Sequence, residues 1–169
     1  IYEEGIMYFN LALELSKDIG DKLSEGVILG NLGDLLIQMR RWDEAEKHLL
    51  ASIEITKTIF PVGVGGFSGS LAWVYAQQSK MEEAQRLLLV GEPLVKTYPL
   101  EHGKFLCKKS KILHMTGQSE KARAALEQAM SIAERINSGD DSQFGKLIVE
   151  TEQSLSSSYS VLSEPQDIH

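Results

Sequence analysis

Few residues in this chain suit a fold other than a helical one. Only 7% are aromatic and four are proline, while leucine, alanine, glutamate, lysine and glutamine, all good helix formers, are common. A lone cysteine, Cys107, allows no internal disulfide, which fits a reducing compartment and hence a cytoplasmic setting. No apolar run approaches the ~20 residues that cross a bilayer, so no membrane span is expected. Basic excess is missing too. The net charge is −7, and general affinity for DNA or RNA needs a basic face that displaces counterions. The opening Ile1, Tyr2, Glu3 and Glu4 shows neither an initiator methionine nor a signal-peptide pattern. The expectation is a piece cut from something longer. With 43% hydrophobic and 24% charged residues over 169 positions, the chain can bury a core as one compact domain.

What is present in quantity is an internal repeat, which decides the fold class and so comes first. Ala45 follows the acidic pair Asp43 and Glu44, Ala84 follows Glu82 and Glu83, Ala122 follows Glu120 and Lys121, and Gly5 follows Glu3 and Glu4. The successive spacings are 40, 39 and 38 residues. A large apolar residue stands four positions after each (Phe9, Leu49, Leu88, Leu126), and a small one three further on (Ala12, Ser52, Gly91, Ala129). Helices packed back to back require such small–large–small columns, because a ridge on one must enter a groove on the other.

Apolar residues at helical spacing, Ile6, Phe9 and Leu13 among them, place a first helix in a half repeat over 1–19. Its apolar face is expected to lie bare. Helix pairs follow at about 24–58, 65–97 and 100–136, with Asp43 and Glu44 suiting the positive end of a helix dipole. Pro61 with Gly63, Gly65, Gly66 and Gly69 reads as turn and close packing ahead of a helix from Ser70 to Gln78. A phosphate-binding loop is set aside there, because no strand precedes it and no Gly-Lys-Ser/Thr follows. Gly91 and Pro93 predict a kink or break near Leu89. Beyond a linker at Asn137–Asp141, Phe144, Leu147, Ile148, Thr151 and Leu155 form a capping helix over 142–160, and 161–169 reads as a flexible tail.

The columns, the two helices per unit, and the Leu32, Gly33, Leu36 pattern together resemble tetratricopeptide repeats from Tyr2 to Ile136. The phrasing is similar to long-repeat arrays attached to bacterial signalling regulators such as kinases, cyclases and ATPases. Departures from the family pattern are Lys17, Lys57, Lys96 and Glu134 in place of its closing proline, Arg40 and Ser79 in place of its turn glycine (kept as Gly117), and Lys109 at an apolar place. The resemblance implies an all-α fold, a right-handed superhelical array of antiparallel helix pairs, whose first helices line a concave groove. Carried over, that groove presents Val27, Gly30, Asn31, Asp34, Ile37 and Gln38 from the second unit. The third unit adds Ser70, Trp73, Ala76 and Gln77, and the fourth adds Lys104, Cys107, Lys108, Lys111 and His114.

Chemistry finds little purchase. Cys107 and His114 lie about two turns apart on one helix, too far for a thiolate–imidazole pair, and a metal needs more ligands than these with His102. His48 reads as solvated, and the Glu pairs before Ala45 and Ala84 as first-turn charges. No catalytic residue, cofactor or metal is expected, so the chain is read as no enzyme. Lys104, Lys108 and Lys111 share one helix face, either a solvated face or a basic patch for an acidic peptide. Trp73 is either a peptide anchor or a packing residue. The leading expectation is a scaffold that binds a partner peptide or helix in its groove as a module of a larger regulator. A small-ligand sensor is the alternative. A structural role comes third, with homo-oligomers formed through the exposed N-terminal helix by burying Ile6, Phe9 and Leu13.

Overall fold

The computed structural model describes residues 1–157. Eight helices follow one another: α1 (Tyr2–Asp18), α2 (Lys22–Gln38), α3 (Trp42–Thr56), α4 (Pro61–Gln77), α5 (Met81–Val95), α6 (Pro99–Met115), α7 (Ser119–Arg135) and α8 (Gln143–Ser157). Neighbours in sequence pack as antiparallel pairs, α2 with α3, α4 with α5 and α6 with α7, and the pairs stack into an all-α solenoid. The expected flexible tail at 161–169 and the end of the last helix beyond Ser157 lie outside the described residues.

Local chemistry sets the boundaries. Asp21 caps α2 by accepting the Ser24 N–H at 3.0 Å and its hydroxyl at 2.6 Å, and these bonds hold the Asp21 carboxyl below its usual range. Pro61 and Pro99 open α4 and α6 at a position whose N–H has no helical partner anyway. Between the helices of a pair, one residue turns left-handed so that its own N–H and the next one can close on the last carbonyls. Arg40 (φ 57°), Ser79 (φ 62°) and Gly117 (φ 75°) do this, with Arg41, Lys80 and Gln118 donating back to Leu36, Tyr75 and Leu113. Two non-glycine residues thus bear a conformation that costs about 1–2 kcal/mol, offset by paired carbonyls.

The columns read from the sequence are the packing seams. Ala45, Leu49 and Ser52 are fully buried, as are Ala84, Ala122 and Ala129, with Leu88 and Leu126 nearly so. Ser52 donates its hydroxyl to the Gly26 carbonyl at 2.6 Å, and Ser110 does the same to Ala122 at 2.7 Å, so the small polar members of the seams are satisfied across it. Each buried leucine contributes roughly 1.5–3 kcal/mol. In the half repeat the matching Gly5, Phe9 and Ala12 are only partly buried.

Four expectations change. Pro61 starts a 17-residue helix, so Gly63, Gly65, Gly66 and Gly69 lie inside α4 rather than in a turn before it. At Gly65 and Gly69 smallness serves helix packing: a Cβ on Gly65 would lie 2.8 Å from the Gly91 carbonyl oxygen, and one on Gly69 would lie 2.8 Å from the Phe105 ring. Helix α5 continues unbroken through Pro93. Pro93 faces solvent and Leu89 is 77% exposed, so water can serve the carbonyl that the proline leaves unpaired. On α1, Ile6, Phe9 and Leu13 face α2 instead of lying bare, and the exposed stripe is Met7, Tyr8, Leu11 and Leu15.

The fourth change concerns α8, which sits beside α6 and α7 as α6 sits beside α4 and α5. It therefore occupies the place of a further inner helix. The contact that seats it recurs along the array. Phe67 of α4 lies on Gly30 of α2, Phe105 of α6 on Gly69 of α4, and Phe144 of α8 on Gly103 of α6, all three rings buried.

Gly103→Ala tests that contact, since the added methyl would overlap the Phe144 ring. Alanine alone would favour the helix by about 1 kcal/mol, yet overpacking should leave a net loss of about 1–2 kcal/mol in urea unfolding. A net gain would show that the ring does not need the glycine. Cys107 lies wholly buried among Leu106, Ala125, Phe144 and Ile148, and burial pushes its thiol up to about 11. Iodoacetamide at neutral pH should label it in urea and leave the native chain essentially unmodified; rapid native labelling would place the thiol outside the core.

Candidate peptide-binding groove

Because successive chain reversals alternate, the inner helices α2, α4, α6 and α8 run parallel, and their common concave side encloses a groove of about 1040 Å³. A 17-residue inner helix makes the wall about 25 Å tall. Asn31, Asp34 and Gln38 line it from α2, Trp73 and Gln77 from α4, and Lys104, Lys108 and Lys111 from α6. Val27 and Ile37 of α2 line it too, so the structure brings together ten of the fifteen groove residues expected from the sequence.

Cys107 and His114 are two of the five exceptions. An inner helix touches a neighbour on each side, so only a narrow stripe remains for the groove, and Cys107 faces the core between α6 and α8. His114 borders a separate cavity of about 460 Å³ with Ser119, Arg123, Leu126, Glu152 and Leu155, at the far end of α6. Gly30 is covered by the Phe67 ring, while Ser70 and Ala76 are buried, so these three present nothing to a ligand either.

Other residues join the site that the sequence reading passed over. Phe60, Val62 and Phe67 belong to the start of α4, which had been read as a turn; Trp42 opens α3. Gln143, Lys146, Leu147 and Glu150 come from α8, whose sequence carries none of the repeat columns. The aromatic and valine residues around Pro61 were the available signal, since apolar residues flanking a helix-opening proline recur at Tyr98 and Leu100 around Pro99.

The lysines of α6 differ in their surroundings. Lys104 pairs with Glu101 at 3.3 Å. Lys108 donates to the Ser70 hydroxyl at 2.6 Å, a neutral partner. Lys111, only 8% exposed, pairs with Glu150 at 2.7 Å and sits 5.1 Å from the centroid of the Trp73 ring. Lys109 points away from the groove, to Glu92 at 2.6 Å, and Glu92 also meets His102 at 3.4 Å. Trp73 packs against the core of α4 and α6 and also lines the groove. Nothing here assembles a nucleophile with a base. Among the described residues no cluster of His, Cys, Asp and Glu could hold a metal, and no helix is long and apolar enough to cross a membrane.

Comparison with known proteins bears on the fold. The crystal structure of BtubC (BKLC) from P. vanneervenii superposes with a TM-score of 0.64 at 17% identity, over 82% of this chain and 59% of that one. The chain thus spans about three fifths of that structure, and at this identity the likeness concerns the fold alone. No curated protein matches the sequence significantly. Tetratricopeptide repeat profiles match residues 2–58 and 103–135, together just over half of the chain and on both sides of the glycine-rich α4. With the seams, the paired helices and the groove already in place, these matches mean that the chain belongs to the tetratricopeptide repeat family.

Proposed function

We propose that the chain is a non-enzymatic scaffold that holds a peptide or helix of a partner protein in the groove of α2, α4, α6 and α8, as a module of a larger cytoplasmic regulator. Repeats of this family are general protein–protein interaction modules and typically scaffolds without catalytic activity. The observation that carries the reading is the groove itself, a continuous concave surface holding both tryptophans, Trp42 and Trp73, beside the lysines of α6. Aromatic side chains in a concave, partly dry setting are the groups that dominate binding energy. Lys104 and Lys108 add a preference for acidic partners. Of the features that suit a small-ligand sensor, Cys107 is in the core and the glycines from Gly63 to Gly69 are helical, while Trp73 lines the same groove that a peptide would occupy.

Both tryptophans line the groove, so intrinsic fluorescence reports its occupancy. Titrating a panel of acidic and basic peptides should shift that fluorescence only for acidic ones, with an affinity that falls as salt screens the lysines. Lys104→Glu combined with Lys108→Glu should weaken acidic peptides by about tenfold or more, equivalent to about 1.4 kcal/mol. Unchanged affinity would discard the basic patch, and turnover of a substrate by the purified chain would discard the scaffold.

A second reading, self-association through α1, is favoured by its exposed stripe, in which Met7, Tyr8, Leu11 and Leu15 are 50–66% exposed. Sedimentation at high concentration should show a dimer that Leu11→Lys with Leu15→Lys dissociates. A monomer throughout would remove this reading.

A further inference from the structure

We infer that the groove takes an amphipathic helix whose acidic side lies between Lys108 of α6 and Lys146 of α8, and whose apolar side lies on α2 and α4. The inference rests on groove binding as proposed above and assigns the chemistry of the bound segment. Five cations line the groove (Arg40, Lys104, Lys108, Lys111, Lys146) against three carboxylates (Asp34, Glu101, Glu150), in a chain whose net charge is −7. Two of those carboxylates are already engaged, Glu101 with Lys104 and Glu150 with Lys111. Lys108 meets only the Ser70 hydroxyl, and Lys146 takes part in none of the ion pairs among the described residues.

Register brings these two cations together. Phe144 sits on Gly103 and Glu150 binds Lys111, which fixes α8 alongside α6 at two levels. Lys146 falls between those levels, within about a turn of Lys108, and both line the groove. On the other wall, Val27, Phe60, Val62 and Phe67 form an apolar strip. A single segment that satisfies both walls needs two chemically distinct sides. An amphipathic helix keeps them separate along its whole length and is a known way for one protein to fill another's groove. A carboxylate set between Lys108 and Lys146 would gain charge-assisted hydrogen bonds from both. Flanking low-dielectric walls make such a pair worth more than on an open surface.

The test uses the full chain and two fluorescein-labelled helical peptides of about 18 residues, five turns. They share one leucine face, flanked in one peptide by glutamates and in its twin by lysines. Fluorescence anisotropy at low salt should show the glutamate peptide bound about tenfold tighter or more. Lys108→Glu with Lys146→Glu should bring that preference below about twofold, and Lys146→Glu alone, at an exposed position that folding does not need, should reduce it partway. Val62→Asp, which places an acid in the first turn of α4 where the helix dipole tolerates it, should weaken both peptides. Equal binding of the twins, or a preference unmoved by the lysine reversals, overturns the inference. If Val62→Asp still weakens both in that case, groove binding survives without it. Failure of both peptides to bind overturns the two readings together.

Discussion

The ring of a phenylalanine laid on a glycine of the preceding inner helix is the contact on which the molecule's shape depends. Phe67 on Gly30, Phe105 on Gly69 and Phe144 on Gly103 join α2, α4, α6 and α8 in sequence. A ring is large and rigid, and glycine is the one residue that lets the neighbouring backbone approach it. The inner helices are therefore drawn close in parallel while the outer helices, linked through the small–large–small seams, splay on the other side. Curvature follows from that difference in spacing, and the groove follows from the curvature. A larger residue at any of the three glycines would push two inner helices apart and flatten the surface that binds.

This contact also explains what the sequence disclosed and what it concealed. The seams were legible because a repeated small–large–small spacing has one physical use, and Ala45, Leu49 and Ser52 are as buried as that use demands. Glycine is ambiguous in a way leucine is not. It terminates a helix or lets another helix approach, and at Gly65 and Gly69 the second use holds; read as a turn, the glycines hide the start of α4 with Phe60, Val62 and Phe67. Spacing puts Lys104, Lys108 and Lys111 on one helix face, and all three line the groove. Cys107 and His114 fall outside it because neighbours on both sides of α6 leave less free surface than an isolated helix has. The α8 wall escapes the small–large–small columns, which α8 lacks; the signal for it is Phe144, 39 residues after Phe105, which itself stands 38 after Phe67.

Electrostatics in the groove is a matter of internal pairing more than of residue count. Lys111 is nearly buried, and its ion pair with Glu150 and its place over Trp73 tie α6 to α8 and shield part of the indole. Its charge serves the architecture, because leaving a buried ammonium unpaired would be costly. Lys108 and Lys146 are different: their charges are free to attract, and the surrounding chain is acidic. An acidic chain with a cationic groove repels acidic ligands at a distance and accepts them at close range, so salt should ease the approach while weakening the bound state.

The two ends of the solenoid bear on how copies could meet. At one end α1 exposes Met7, Tyr8, Leu11 and Leu15, an apolar stripe that Ile19 just beyond the helix extends. At the other, the exposed side of α8 carries Lys146, Glu150, Glu152, Gln153 and Ser156, with Val149 its only large hydrophobic group exposed. Stacking head to tail would press that polar surface onto the α1 stripe and strip water from charges without pairing them, which is unfavourable. Of these two described surfaces, another α1 is the one that offers the stripe an apolar match. An association through it would therefore be isologous, two-fold and closed, stopping at a dimer rather than growing into a fibre. Such a dimer would leave both grooves open, since α1 borders the groove through Tyr2 and none of Met7, Tyr8, Leu11 and Leu15 lines it.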